Sequence, residues 1–157
     1  MQVFPNLGQF SGRLGAKSML MGQFQHNIDP KGRVTMPSRF REDLGDAFYV
    51  TKGLDGCLFV LSSAQWDKLT EKMGQLPISK ARSLQRFFFS GAFFTEVDKQ
   101  GRILIPPPLR EYAGLNKEVT ILGAATRAEI WDSSRWNAYN EEQTQENLLS
   151  AMELLEI

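Results

Sequence analysis

The chain has 157 residues, 42% hydrophobic and 23% charged, with 18 basic against 18 acidic side chains, the composition of an ordinary globular protein of one domain or two small intertwined ones. A single cysteine, Cys57, and a single histidine, His26, exclude an intrachain disulfide and a structural zinc site built from these residue types, and the cysteine usage fits a reducing compartment. No apolar run approaches the roughly 18 residues of a membrane span.

The neutral balance hides an asymmetry. Residues 140–157 carry Glu141, Glu142, Glu146, Glu153 and Glu156 and no Lys or Arg. Taking those five from 18 acids leaves 13 against 18 basic residues, so residues 1–139 carry +5. The acidic end reads as a solvated tail, or as one held off a basic surface or docked on a partner.

Residues 1–19 are rich in Gly, Ser and Gln, with scattered Phe4, Leu7, Phe10 and Leu14. They are expected to form a flexible extension running to residue 20, or a short arm that packs on a neighbour. Arg13 and Lys17 are not followed by the apolar core of a secretory signal. Met19 or Met21 would serve as an initiator.

Residues 22–29 alternate as a strand does. Asp29-Pro30-Lys31-Gly32-Arg33 reads as a turn, with the Asp side chain accepting from amides ahead of it and Gly supplying positive φ. Val34-Thr35-Met36 is a short strand. Pro37 opens a helix over 37–44 that Gly45 stops; Phe40 faces the core and Arg41 reaches outward. A strand at Ala47–Thr51, a hairpin turn at Leu54-Asp55-Gly56 and a returning strand at Cys57–Leu61 follow. Ser62-Ser63 caps a helix bearing Trp66, Leu69 and Met73.

A linker helix is expected over 76–90, with Ser79 as N-cap. Ala81, Leu84 and Phe88 share one face, and Arg82 and Arg86 share another. That basic side is solvated, or adds phosphate contacts.

Then the first motif returns. Sixty-nine positions after Asp29 stands Asp98-Lys99-Gln100-Gly101-Arg102-Ile103-Leu104-Ile105-Pro106, followed by Leu109-Arg110-Glu111. A fixed-period repeat governs any other reading of a chain. Phe93 matches Phe24 and Val97 matches Ile28. Gly114 ends the second helix, Glu118–Gly123 and Glu129-Ile130-Trp131 are strands, and Asp132-Ser133-Ser134 caps a helix bearing Trp136. Matching Val50-Thr51 with Val119-Thr120 and Trp66 with Trp136 moves the offset to 70 and puts one extra residue in the second hairpin. Trp136 to Ile157 reads as helix with an apolar stripe of Leu148, Leu149, Met152 and Leu155, which folds back or packs between subunits.

One copy, about 45 residues, buries too little surface to stand alone. Two copies sharing a core are therefore expected: a mainly β chain with short helices (α+β), arranged as an intramolecular pseudo-dimer. The boundaries are a first repeat at 21–75, the linker helix at 76–90, a second repeat at 91–139 and an acidic helix at 140–157.

No metal-spaced His/Asp/Glu cluster, nucleophile motif, P-loop or dinucleotide fingerprint is present, so no catalysis and no cofactor are expected. Asp29 and Asp98 read as turn formers, His26 as a structural or surface residue, and Cys57 as a buried thiol. What remains is basic density: Lys31, Arg33, Arg39 and Arg41 in the first copy, Lys99, Arg102 and Arg110 in the second. Arginine grips phosphate or guanine bidentately. Arg33 and Arg102 equally suit bonding within their own turns.

The doubled Asp-x-x-Gly-Arg…Pro-x-x-(Phe/Leu)-Arg-Glu, the central Arg86-Phe87-Phe88-Phe89-Ser90-Gly91 and the late Glu129-Ile130-Trp131 resemble the MraZ family from about Met21 to about Tyr139. Each half is similar to the swapped-hairpin domain of AbrB/SpoVT-like bacterial regulators. The resemblance implies two swapped-hairpin β-barrel half-domains in one chain. It implies a cytoplasmic, nucleoid-associated repressor of the division and cell-wall gene cluster that binds direct repeats in promoter DNA as a ring-like homo-oligomer, without membrane or small-molecule partners. It places DNA contact on Arg33, Arg102, Arg41 and Arg110. An antitoxin-like interaction module on the same fold is the alternative. Gln100 in place of Lys31 and Pro108 in place of Arg39 make the second copy less basic, so the first is expected to dominate.

Overall fold

The computed structural model describes residues 19–156. The expected N-terminal extension lies outside them except at its end. There it is corrected: Leu20 is buried and exchanges both backbone hydrogen bonds with Ala125, at 2.9 and 2.8 Å. Gly123 makes this seat, since a Cβ there would meet the Leu20–Met21 backbone.

The elements follow the repeat. The first copy supplies β1 (Gln23–Asn27), β2 (Arg33–Thr35), α1 (Ser38–Leu44), β3 (Ala47–Lys52), β4 (Leu58–Leu61) and α2 (Ser63–Gly74). After α3 (Ile78–Ser90) come β5 (Phe93–Glu96), β6 (Arg102–Leu104), α4 (Pro107–Ala113), β7 (Glu118–Gly123), β8 (Ala128–Asp132) and α5 (Ser133–Glu142), and then α6 (Gln145–Glu153). The chain is a mixed α+β protein whose strand pairs are all antiparallel.

The two copies interleave. One six-stranded sheet runs β1-β7-β8-β4-β3-β5, and a two-stranded ribbon pairs β2 with β6. Exchanging each strand for its counterpart reads the same order backwards. The exchange also maps the ribbon onto itself, because Val34 lies opposite Ile103 while Arg33 and Thr35 lie opposite Leu104 and Arg102. At the centre of the sheet Phe59 lies opposite Glu129.

The pairing corrects the repeat alignment. Phe24 lies opposite Ile121 and its counterpart Phe93 opposite Val50, so Val50 corresponds to Ile121, not Val119. The extra residues stand before β7. Gly45-Asp46 joins α1 to β3, whereas Gly114-Leu115-Asn116-Lys117 joins α4 to β7. The second hairpin turn is shorter than the first, 124–127 against 53–57. A shift of two keeps every side chain on its own face of the sheet, so the hydrophobic pattern cannot reveal it.

The central strands are buried on both faces. Val50, Leu58, Val60, Val119, Ile121, Ala128 and Ile130 point into one core, closed by Val34 and Ile103 of the ribbon and by Phe40, Leu44, Leu109 and Ala113 of the short helices. That core draws on both copies. The opposite face carries Cys57, Phe59, Leu122 and Trp131, packed under Met73, Phe88, Trp136 and Tyr139. Two buried polar side chains on this side are satisfied in place, while Trp136 Nε1 is buried without a partner. The Thr51 hydroxyl donates to the Phe88 carbonyl, and Trp131 Nε1 donates to Glu129 Oε1 at 3.0 Å.

Local expectations differ from the structure at the helix ends. Pro37 and Pro106 are N-caps and not first helical residues. Pro77, not Ser79, precedes α3. Leu84 is exposed although Ala81 and Phe88 on its face are buried. The single helix expected from Trp136 is broken at Gln143, and the Thr144 hydroxyl recaps the chain by accepting from Asn147 N–H at 3.0 Å. α6 buries no residue, so its stripe does not fold back on this chain.

Candidate nucleic-acid interface

Each turn is built by its aspartate. Asp29 Oδ1 accepts the backbone N–H groups of Lys31 and Arg33, at 3.0 and 2.8 Å, and Oδ2 accepts Arg33 Nε at 2.8 Å. Asp98 repeats the set with Gln100 and Arg102, at 2.9, 2.8 and 3.1 Å. Both carboxyls are held below the usual carboxylate range, first by the N–H donated from the backbone of Arg33 or Arg102 and further by the guanidinium. Gly32 and Gly101 sit at φ +90 and +81, where an L side chain is strained.

Both readings of the turn arginines therefore hold at once. Nε of each guanidinium serves its turn, yet the Arg33 side chain remains 34% exposed and that of Arg102 28%. Register fixes their direction. Val34 and Ile103 enter the core, so Arg33, Thr35, Arg102 and Leu104 share the outward face of the ribbon. Arg33 and Arg102 are diagonal neighbours there, which places their Cα atoms about 7–8 Å apart.

The other copy completes each turn. Ile105 N–H donates to the Gly32 carbonyl at 2.8 Å, and Met36 N–H donates to the Gly101 carbonyl at 2.9 Å. The helix arginines cross over with their strands. Arg110 lies so close over Gly32 that a Cβ there would stand 2.8 Å from its Cζ and Nε, and a Cβ on Gly101 would stand 2.9 Å from an Arg41 Nη. The expectation that Arg41 and Arg110 reach outward is corrected. Both are half-buried, with Nε sealed from solvent and lacking a partner, because each guanidinium is laid on the bare glycine of the opposite turn.

Grouping basic residues by copy is thus not how the structure groups them. Lys31 and Arg33 stand with Arg110; Lys99 and Arg102 stand with Arg41. Lys31, Lys99 and Arg39 are exposed, Arg39 on α1, the helix that carries Arg41. The surroundings differ in charge. Next to the first turn the Ile28 amide bonds Lys117, and Asn27 faces Glu118; next to the second the Val97 amide bonds Asp46, and Glu96 faces Ala47. Lys117 and Glu118 offset one another, whereas Asp46 and Glu96 add two negative charges. Lys117 was not singled out by the sequence pattern, because only the two-residue insertion before β7 brings it to this place. Arg82 and Arg86 are exposed on α3, which packs on α2 and β3, not on the ribbon.

Other chemistries find little support among the described residues. No group of three His, Cys, Asp or Glu side chains is placed to hold a metal ion. Cys57 is buried, its thiol pushed well up by desolvation and donating to the Leu54 carbonyl at 3.1 Å. Among the described residues no helix is long and apolar enough to cross a membrane.

Comparison with known proteins agrees with the repeat. A family described as "MraZ protein, putative antitoxin-like" matches residues 19–86 and 88–154, one segment per copy. The chain is similar to the transcriptional regulator MraZ of Heliobacterium modesticaldum, at 60% identity over 125 residues covering 78% of this chain and 87% of that one. It is similar to the transcriptional regulators MraZ of Desulforamulus reducens and Acetivibrio thermocellus at 53% and 51% identity, over 85% and 88% of this chain and the whole of each relative. The solution structure of PHS018 from Pyrococcus horikoshii matches 68% of this chain and 91% of its own at 17% identity and TM-score 0.32, too remote to bear on the fold. With the family matched across both copies and relatives aligned over their full length, the chain belongs to the MraZ family.

Proposed function

We propose that this protein is a transcriptional regulator that binds double-stranded promoter DNA through the outward face of the β2–β6 ribbon. The observation that carries the reading is the placement of Arg33 and Arg102 on one exposed face, each oriented by an aspartate and flanked by an arginine from the opposite copy. Two-stranded ribbons enter the major groove, and an orienting carboxylate leaves a guanidinium less freedom to lose on binding. Lys31, Lys99, Arg39, Arg41 and Arg110 supply backbone contacts, which set position, while the turn arginines reach base edges. The first turn, in the more positive surroundings, dominates.

The finer reading follows the family resemblance. The chain is a swapped-hairpin pseudo-dimer of two half-domains, 21–75 and 91–139. It acts in the cytoplasm on the nucleoid, without catalysis, as a repressor of the division and cell-wall gene cluster. Copies joined in a ring engage several direct repeats, so avidity adds to modest affinity at each one.

The test is fluorescence anisotropy with duplex from the chain's own upstream region. Five cations neutralising phosphate give a slope near −4.5 in log–log salt dependence, so affinity falls about 500-fold between 50 and 200 mM salt. Arg33→Ala abolishes binding. Affinity indifferent to salt, or equal binding of scrambled duplex, refutes the reading. The antitoxin-like alternative is supported by the family's description and by the uncovered stripe of α6. It requires a stoichiometric protein partner and no DNA shift.

A further inference from the structure

α6 is a helix without a home in its own chain. Leu148, Leu149 and Met152 are between 42% and 60% exposed, and helical spacing gathers them on one side; Leu155, in the turn that follows, is exposed too. Glu146 and Glu153, seven positions apart, run along the edge of that stripe, spanning about 10 Å at 1.5 Å per residue. So wide an exposed apolar face on a short capped helix is costly unless something covers it.

The same chain carries a matching surface. Between α2, the end of β4 and α3 lies a groove of about 220 Å³ with Phe59, Leu61, Leu69 and Phe88 along its floor. Lys68 and Lys72, four apart on α2, line one wall, which puts their Cα atoms about 6 Å from each other. Both lysines are exposed. Arg127, also in the lining, is already engaged by Glu129 at 2.8 Å and by the Phe59 ring at 4.4 Å. Among the described residues no ion pair occupies Lys68, Lys72, Glu146 or Glu153.

We propose that α6 of one copy docks in the α2–α3 groove of a second copy, its leucine stripe on the Phe59/Leu69/Phe88 floor and Glu146 and Glu153 against Lys68 and Lys72. The occupant is a second copy because the two surfaces complement each other in charge and α6 packs on nothing in its own chain. Groove and helix are different patches, so the contact is head-to-tail, and repeated it closes a ring or extends a chain of copies. The proposal rests on the self-association in the functional reading and names the surface that produces it.

The test uses the full chain without DNA, in sedimentation velocity over a range of concentrations. One variant carries Lys68→Glu and Lys72→Glu; the other carries Glu146→Lys and Glu153→Lys. Each alone opposes like charges across the contact, and its assembly midpoint moves at least ten-fold higher in concentration. A 1:1 mixture of the two assembles again, because each groove now meets the other variant's helix, and one chain carrying all four substitutions also recovers. The circular dichroism spectrum stays that of wild type, since all four positions are exposed in the single chain. A wild type that is monomeric throughout, variants that assemble normally, or a mixture that fails to recover overturns the proposal. Recovery confined to the four-substitution chain at a concentration-independent mass overturns it too, by placing α6 in its own groove. Arg33→Ala serves as the separator: it assembles like wild type, so lost DNA binding with intact assembly bears on the functional reading alone.

Discussion

Gly32→Ala tests the crossing of the two copies at its tightest point. The residue sits at φ +90, and placing an L residue in the left-handed region costs roughly 1–2 kcal/mol. An added Cβ would stand 2.8 Å from Cζ and Nε of Arg110 and 2.9 Å from the Ile105 carbonyl oxygen. The guanidinium can move, but the carbonyl is backbone held by the ribbon, and overpacking of this kind costs about 1–3 kcal/mol. The expected loss is about 3 kcal/mol, or about 6–12 °C in Tm for a chain of this length. Gly101→Ala is the internal control. It has the same backbone cost, but its close contact is only the Arg41 terminus at 2.9 Å, so its loss stays near the roughly 1–2 kcal/mol of the backbone term. Thermal unfolding by circular dichroism reads both. Arg110→Ala in the Gly32→Ala background relieves part of the loss, whereas Arg41→Ala does not. Equal Tm values for the two glycine variants, or relief by Arg41→Ala, would refute the cross-copy packing.

Three further outcomes follow from the same geometry. Arg33→Ala lowers Tm by no more than about 4 °C, because an ion pair this open to solvent contributes little to stability; unfolding of that variant at room temperature would assign the arginine wholly to the turn. Arg102→Ala and Arg41→Ala combine non-additively in DNA affinity, while Arg102→Ala and Arg110→Ala add, since residues of one cluster couple and separated ones do not; the opposite pattern would return each helix arginine to its own copy. Asp29 and Asp98 have folded pKa values below the unfolded value of about 3.9. Their stabilisation is therefore present above that value and lost as pH falls through the folded one. The urea midpoint of wild type should exceed that of the Asp29→Asn/Asp98→Asn variant at neutral pH and converge with it in acid; a gap that widens in acid contradicts the turn chemistry.

The local devices were legible because they are made by neighbours in sequence. The Asp-x-x-Gly-Arg turns, the Ser62 and Asp132 caps, the Asp55-Gly56 hairpin and the inward alternation of the strands each need only a few consecutive residues. The doubled motif announced a duplicated architecture, and it marked Arg33 and Arg102 before any coordinate did. The shift between β3 and β7 was illegible for a physical reason: two added residues leave the pattern of inward and outward side chains unchanged, so apolar periodicity aligned Val50 with Val119, where strand pairing aligns it with Ile121.

Tertiary structure alone decided which charges meet. Sequence placed Arg41 beside Arg33 and Arg110 beside Arg102, because adjacency along the chain was all it could offer. Pairing β2 with β6 carries each strand exit past the opposite turn, so the helix that follows lays its arginine on the other copy's glycine. That crossing sends Arg39 and Arg41 to the second turn; what leaves the first turn the more positive one is the insertion that brings Lys117 alongside Ile28, against Asp46 and Glu96 beside the second. Sequence determined that the chain would carry two aspartate-held arginines; strand register determined that they share one face.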